Sequence, residues 1–301
     1  VGTIWGLVSF YFGIVVGISL PGEEKPPLYA VFHYIFDGVP LLAVAWLCFR
    51  NWRFPRLASD RNIWLLFSLR SLFYLAANLL FGYWESVLQR SPEVTLADPV
   101  YIVSYLLLLW ALYLAIRARR MILKAWQYSA IGAIAILGIW LGYLSAFPPE
   151  AQQARLVSPP SVAEPTVIAS NAIVTVAQDN SADSIAHKEA PGWVLAVEET
   201  LKPYSETISL FYIVLDIILL VLAGTLALTF WGGRFSRTWL AIALGALLLY
   251  IADVRYAYIV ARGNFETGSL LDLFWTFSPI LFGIGAAFEY DTSISLRSRR
   301  R

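Results

Sequence analysis

The sequence predicts an all-α integral membrane protein, a bundle of about eight transmembrane helices built as two parallel four-helix repeats. Three observations lead there. Charged residues make up 14% of the 301 and aliphatic, aromatic and sulfur-bearing residues 58%, whereas a soluble domain carries about 25% charged residues. Apolar runs of about 20 residues, long enough to cross the hydrocarbon core as helices, alternate with short polar loops. Lys and Arg gather in alternate loops, as they do on the cytoplasmic side of membrane proteins.

The predicted spans cover residues 3–20, 28–49, 62–84, 97–117, 124–147, 206–231, 238–261 and 269–289. The loop after the second carries Arg50, Arg53, Arg56 and Arg61. That after the fourth carries Arg117, Arg119, Arg120 and Lys124, and that after the sixth Arg234 and Arg237. The intervening loops hold Glu23, Glu24, Glu93 and Glu266. An even number of spans with both ends in the cytoplasm satisfies this pattern. Residues 148–205 then form a long external loop, rich in Pro, Ser, Ala and Val. Such a composition argues against a packed structure, except for Trp193–Leu201, which reads as a short helix lying on the membrane face. A tolerated insertion and a ligand-sensing element both fit the loop. Residue 1 is Val and the only methionine is Met121, which points to a processed chain or a fragment.

The two halves, 1–120 and 121–301, match at polar positions. Tyr34 and Asp37 in the second span correspond to Tyr212 and Asp216 in the sixth. Asn78 and Tyr83 correspond to Asp253 and Tyr258. Thr95, Asp98, Tyr101 and Ser104 correspond to Ser269, Asp272, Trp275 and Ser278, and Gly17 pairs with Gly142. Both units start and end on the same side, so the repeats are parallel, an arrangement met in transporters and in duplicated receptors.

Ionisable residues at membrane depth are costly and face the bundle interior or a wet cavity. The candidate ligand-binding residues are therefore Asp37, Asp216, Asp253, Arg255, Asp272 and Tyr258. Asp98 and Asp272 follow Thr95 and Ser269 at capping-box spacing, which gives them a structural reading at helix starts. Asp37 and Asp216 lie too deep for capping; structural pairing and a ligand or ion site fit them equally. Asp253 and Arg255 point to different faces of one helix, so Arg255 is expected to gather acids from neighbouring spans, Asp216 and Asp272 among them. Arg70 is expected to snorkel to the cytoplasmic interface. His33 reads as a packed histidine before a pigment or haem ligand. Trp84, Tyr83, Tyr143 and Tyr258 suit an interfacial aromatic belt.

No phosphate-binding glycine loop, metal-ligand spacing or nucleophile–base arrangement is present, so no enzymatic activity is expected of this chain. With one cysteine, Cys48, and two histidines, His33 and His187, no cofactor or metal is called for. The expected partner is the lipid bilayer, and nothing suggests nucleic acid.

Two strings carry a family resemblance. Leu96-Ala-Asp-Pro-Val-Tyr101, followed by an apolar run and Arg117-Ala-Arg-Arg120, resembles the membrane region of multi-span bacterial signalling proteins. So does Tyr250-Ile-Ala-Asp-Val-Arg-Tyr-Ala-Tyr258 with Gly263 to Trp275 after it. In that group a helical sensor precedes a cytoplasmic GGDEF, EAL or histidine-kinase output domain. The likeness is best over residues 205–290 and fair over 28–120. No output motif is present, and the long external loop departs from the pattern. The resemblance implies a sensory or input module in the bacterial inner membrane. Such a module would receive a small molecule, a bilayer property or a membrane partner outside and pass the change to a cytoplasmic signalling domain beyond Arg301. A transporter using the intramembrane acids, or an accessory subunit of a larger membrane complex, are the alternatives.

Overall fold

A computed structural model describes residues 6–8, 11, 28–55, 57–88, 94–118, 124–146, 191–232, 235–260 and 273–298. Helix is the only regular structure among them. The elements are α1 (Leu28–Arg53), α2 (Arg61–Gly82) with a π-helical turn (Tyr83–Val87), α3 (Ala97–Arg117), α4 (Ala125–Ala146), α5 (Gly192–Leu201), α6 (Ser205–Thr229), α7 (Ser236–Val260) and α8 (Leu273–Ser298). A 3₁₀ turn at Lys202–Tyr204 joins α5 to α6.

Among the described residues six stretches are long and apolar enough to cross a membrane: Arg61–Glu85, Ala97–Arg117, Ala125–Ser145, Gly192–Thr229, Ser236–Ile259 and Leu273–Ser295. A helix of such length that shows large apolar side chains to the outside needs lipid around it. α4 is the plainest case, with Ile136 71% and Trp140 56% exposed. The protein is therefore an all-helical, multi-helix membrane protein. α1 is 26 residues long and exposes Ile35, Val39, Leu42 and Trp46 at helical spacing, the same kind of outward apolar stripe. The first expected span, 3–20, lies outside the described residues apart from 6–8 and 11.

Six helices close into a ring. α1 packs on α2, α2 on α3, α3 on α6, α6 on α7, α7 on α8, and α8 back on α1. α4 lies outside the ring against α6 and α7. Small residues set the close approaches, as expected where lipid gives helices no hydrophobic reason to associate. A Cβ on Gly245 of α7 would stand 3.0 Å from the Ser278 carbonyl oxygen of α8, and one on Gly285 of α8 would stand 3.0 Å from the Thr238 carbonyl of α7. Ile213 and Ile217 of α6 fill the space that Gly142 leaves on α4, and Ile134 of α4 fills that at Gly224.

Two helices outrun their expected ends. α1 continues to Arg53 and α8 to Ser298. Tertiary contacts hold these polar turns helical. Asn51 Nδ2 donates to the Ala286 carbonyl at 2.8 Å, Arg50 stacks 3.9 Å over the Tyr290 ring, and the buried Glu289 accepts the Ser59 backbone N–H at 3.1 Å. Ser293 Oγ accepts the Ala58 N–H at 3.1 Å. The arginine-bearing end of α8 is thus fastened to the α1–α2 loop.

The expected short helix at Trp193–Leu201 is present as α5. Val194 is fully buried, Trp193 meets Trp84 edge-on at 5.6 Å, and Trp84 Nε1 donates to Glu198 at 3.2 Å. This corrects one expectation. Trp84 is 1% exposed and does not stand in an outward belt, because α5 covers it. Tyr83, Tyr143 and Tyr258 do face outward. The rest of the 148–205 loop up to residue 190 lies outside the described residues.

A polar cluster inside the helix ring

The ring interior is polar where α1, α2, α3, α6, α7 and α8 meet. Tyr105 of α3 is its hub. The hydroxyl lies 2.6 Å from Asp216 Oδ1 of α6 and in hydrogen-bond contact with Asp253 Oδ2 of α7. Asp253 Oδ1 accepts from Trp275 Nε1 of α8 at 2.7 Å. One residue on, the Thr276 hydroxyl donates to Asp37 of α1. On the α2 side the Tyr101 hydroxyl donates to Asn78 Oδ1 at 2.7 Å. Tyr105, Asp216 and Asp37 are all buried; Asp253 is partly so.

Arg70 completes the cluster and overturns a second expectation. It does not snorkel to an interface: it is 1% exposed. Its guanidinium carbon lies 4.7 Å from the Tyr74 ring centre and 5.2 Å from that of Phe282. Rings at such distances give a cation a favourable, partly desolvated seat. Its Nε and Nη1 have no hydrogen-bond partner among the described residues, and its charge acts on Asp253. The helix position of Arg70 was legible in the sequence; that its side chain turns inward is decided by the aromatic rings of α2 and α8.

Of the expected site residues, the structure brings Asp216 and Asp253 onto one hydroxyl and sets Asp37 close by, on Thr276. It does not build them around Arg255. Neither Asp216 nor Asp253 pairs with it; Arg255 is partly buried and engages other groups. The reason is geometric: two positions apart on a helix, Asp253 and Arg255 cannot both face the ring interior. Tyr258 is 43% exposed. Asp272 and its expected cap lie outside the described residues, as does the side chain of His33. Asp98 has the reciprocal capping contacts read from its spacing. Its Oδ2 accepts the Thr95 N–H at 2.7 Å, and Thr95 Oγ1 accepts the Ala97 N–H at 3.1 Å. Tyr212 also reaches Asp98, at 3.2 Å.

Sequence reasoning missed three participants. Tyr105 looked like one aromatic among many, although its place four residues after Tyr101 and seven after Asp98 put it on the polar face of its helix. Tyr34 closes a second contact, donating to Glu85 Oε2 in the π-turn at 2.6 Å. Its ring lies over Gly82, where a Cβ would meet Tyr34 Cζ at 2.8 Å. Glu289 stands in the sequence only as the last residue of the expected span 269–289.

Beside Asp216 a cavity of about 10 Å³ lies between α4, α6 and α7, lined by Gly142, Ser145, Tyr250 and Val254 among others. That is about the space of one water molecule. Tyr250 is 3% exposed and its hydroxyl has no partner among the described residues. A second cavity, about 90 Å³, lies at the arginine-bearing end among Ala58, Ile63, Ala115, Phe230 and Trp239. Among the described residues no group of three His, Cys, Asp or Glu side chains could hold a metal ion. No family model, curated protein or solved structure matches the chain.

Proposed function

We propose that this chain is the membrane-embedded input module of a signalling protein. It would take a signal at the polar cluster and deliver it through α8 to a cytoplasmic partner or domain. One observation carries the reading: α8 is held at both ends by different parts of the machine. Trp275 and Thr276 bind the acids of the cluster. Near its other end Glu289 and Ser293 bind the α1–α2 loop. A change in the hydrogen bonding of the acids therefore has a rigid helix through which to act, and two packings of different ligand affinity would make a switch of it.

In this reading eight helices, the first at 3–20, cross the bacterial inner membrane as two parallel four-helix repeats, with both ends cytoplasmic. The arginines near residues 50–61, 117–120 and 234–237 support that orientation. Two pairs of contacts support the repeat. Tyr101 binds Asn78, and Trp275, its counterpart, binds Asp253, the counterpart of Asn78, both at 2.7 Å. Asp216 of α6 is bound from α3, while Asp37 of α1, its counterpart, is bound from α8. The module carries no enzymatic centre of its own.

A test places spin labels at Asp60→Cys and Asp291→Cys with Cys48 replaced by Ala, in the reconstituted chain. Asp216→Asn or Tyr105→Phe at the cluster is expected to change the label-to-label distance distribution at the far end. An unchanged distribution in both variants sinks the sensory reading. A transporter is favoured by the acids lining the ring interior. Its mark is solute uptake by proteoliposomes that Asp216→Asn abolishes.

A further inference from the structure

The contacts around Tyr105 require more hydrogen than two carboxylates and a phenol supply. Tyr105 has one hydroxyl hydrogen and can donate to one carboxylate. An oxygen of Asp216 and an oxygen of Asp253 both lie in hydrogen-bond contact with it. If both acids are ionised, one contact sets lone pairs against lone pairs. The second contact closes only when one carboxyl carries a hydrogen and donates it to the phenol oxygen.

The surroundings say which one. Asp253 already accepts the Trp275 indole N–H on its other oxygen, and the Arg70 charge acts on it. Among the described residues Asp216 has Tyr105 as its only hydrogen-bond partner, and its neighbouring charge is the Asp253 carboxylate. Asp216 also borders the water-sized cavity, into whose wall the Tyr250 side chain is built, its hydroxyl without a partner among the described residues.

We propose that Asp216 is a proton-binding site: it takes a proton from hydronium that reaches the cavity between α4, α6 and α7 and donates it in a hydrogen bond to Tyr105, which in turn donates to Asp253. Hydronium loses the proton and becomes water; Asp216 becomes a neutral acid; no other bond breaks. Release runs the reverse way. The titratable groups facing the pair are Arg70 and Tyr74 from α2, Tyr212 from α6, and Tyr250 and Tyr256 from α7. Asp37 of α1 acts on the same Tyr74, α3 supplies Tyr105 itself, α4 adds only the Ser145 hydroxyl to the cavity, and α8 adds Trp275, which does not titrate. The phenols, with an ordinary pKa of about 10, stay neutral at physiological pH. The acid pair is then the place where a proton comes and goes.

Infrared difference spectroscopy on the full chain in phosphatidylcholine vesicles tests this. The wild type is expected to show a protonated-carboxyl C=O band that shifts in deuterium oxide and disappears as pH rises. Asp216→Asn should lose that band, and Tyr105→Phe should keep it at a shifted frequency. A band unchanged in Asp216→Asn overturns the proposal. So does a band that sodium chloride removes at constant pH, because the site would then hold a small cation. If Asp216→Asn does not fold, Tyr105→Phe decides: an unshifted band overturns the proposal. The inference goes beyond the input-module reading and fails separately from it. An intact, Asp216-dependent band with no movement at the end of α8 leaves a proton site without a sensor.

Discussion

Tyr105 and Asp216 are each 4% exposed, and removing the phenol hydroxyl leaves both acids without the hydrogen-bond partner they share. An unsatisfied buried polar group costs about 1–3 kcal/mol, and more when charged. Tyr105→Phe is therefore expected to lower stability by at least that amount in detergent-micelle unfolding. Tyr101→Phe, which deprives the neutral amide of Asn78, should cost less, within the 0.5–1.5 kcal/mol or so of an ordinary hydrogen bond. Equal costs would show that the acids share no special dependence on Tyr105. Arg70 is the second residue whose surroundings decide its role. Seated between two rings, it holds its charge near Asp253 without a direct bond. In a double-mutant cycle of Arg70→Met and Asp253→Asn, the pair should show a favourable coupling of about 0.5–3 kcal/mol. Zero coupling would remove Arg70 from the cluster.

At the scale of elements, glycines decide which helices touch and buried polar residues decide how far they run. α7 and α8 meet where Gly245 faces the Ser278 carbonyl and Gly285 faces that of Thr238. Backbone oxygens cannot step aside as a flexible side-chain tip can. Gly245→Val and Gly285→Val are each expected to destabilise the bundle by about 1–3 kcal/mol through overpacking. Gly132→Ala, with nothing within 4 Å of the added carbon, should unfold like the wild type in the same assay. The far end of α8 makes a different prediction. Glu289 takes the Ser59 amide and Ser293 the Ala58 amide. Glu289→Ala should speed hydrogen exchange at the α1–α2 loop while leaving exchange in α3 unchanged. Unaltered exchange at Ala58 and Ser59 would mean that the loop is held by packing alone.

At the scale of the whole molecule, one cysteine makes the topology accessible to experiment. Cys48 is fully buried and Cys48→Ala gives a background without thiols. Cysteines introduced at Asp60, Arg117 and Ser236 sit at one end of the ring, and one at Lys202 at the other. In sealed vesicles a membrane-impermeant maleimide should label the first three from one side and the last only from the opposite side. Labelling of all four from one side would break the spanning arrangement. The ring also explains how a chain this apolar keeps charged groups at depth. Six helices enclose the acids and Arg70, while α4 and the outward stripe of α1 present Ile, Leu and Trp to lipid. The cost of an ion in hydrocarbon is avoided by never placing it there.

The membrane character, the ends of most helices and the position of α5 were legible in the sequence, because chain length in lipid is set by bilayer thickness and every backbone hydrogen bond must close within its own segment. The acids too could be picked out, since any ionisable residue in such a run stands out against its neighbours. Their partners could not. Periodicity says that Asp253 and Arg255 face apart; it does not say that Tyr105 from α3 and Trp275 from α8 wait on the Asp253 side. Apolar helices look alike on all faces, so the sequence leaves their rotation and order undetermined. Close packing at glycines and the need to satisfy buried polar groups fix both. That is why Arg70, expected at an interface, and Trp84, expected in a belt, were placed inside only by the tertiary structure.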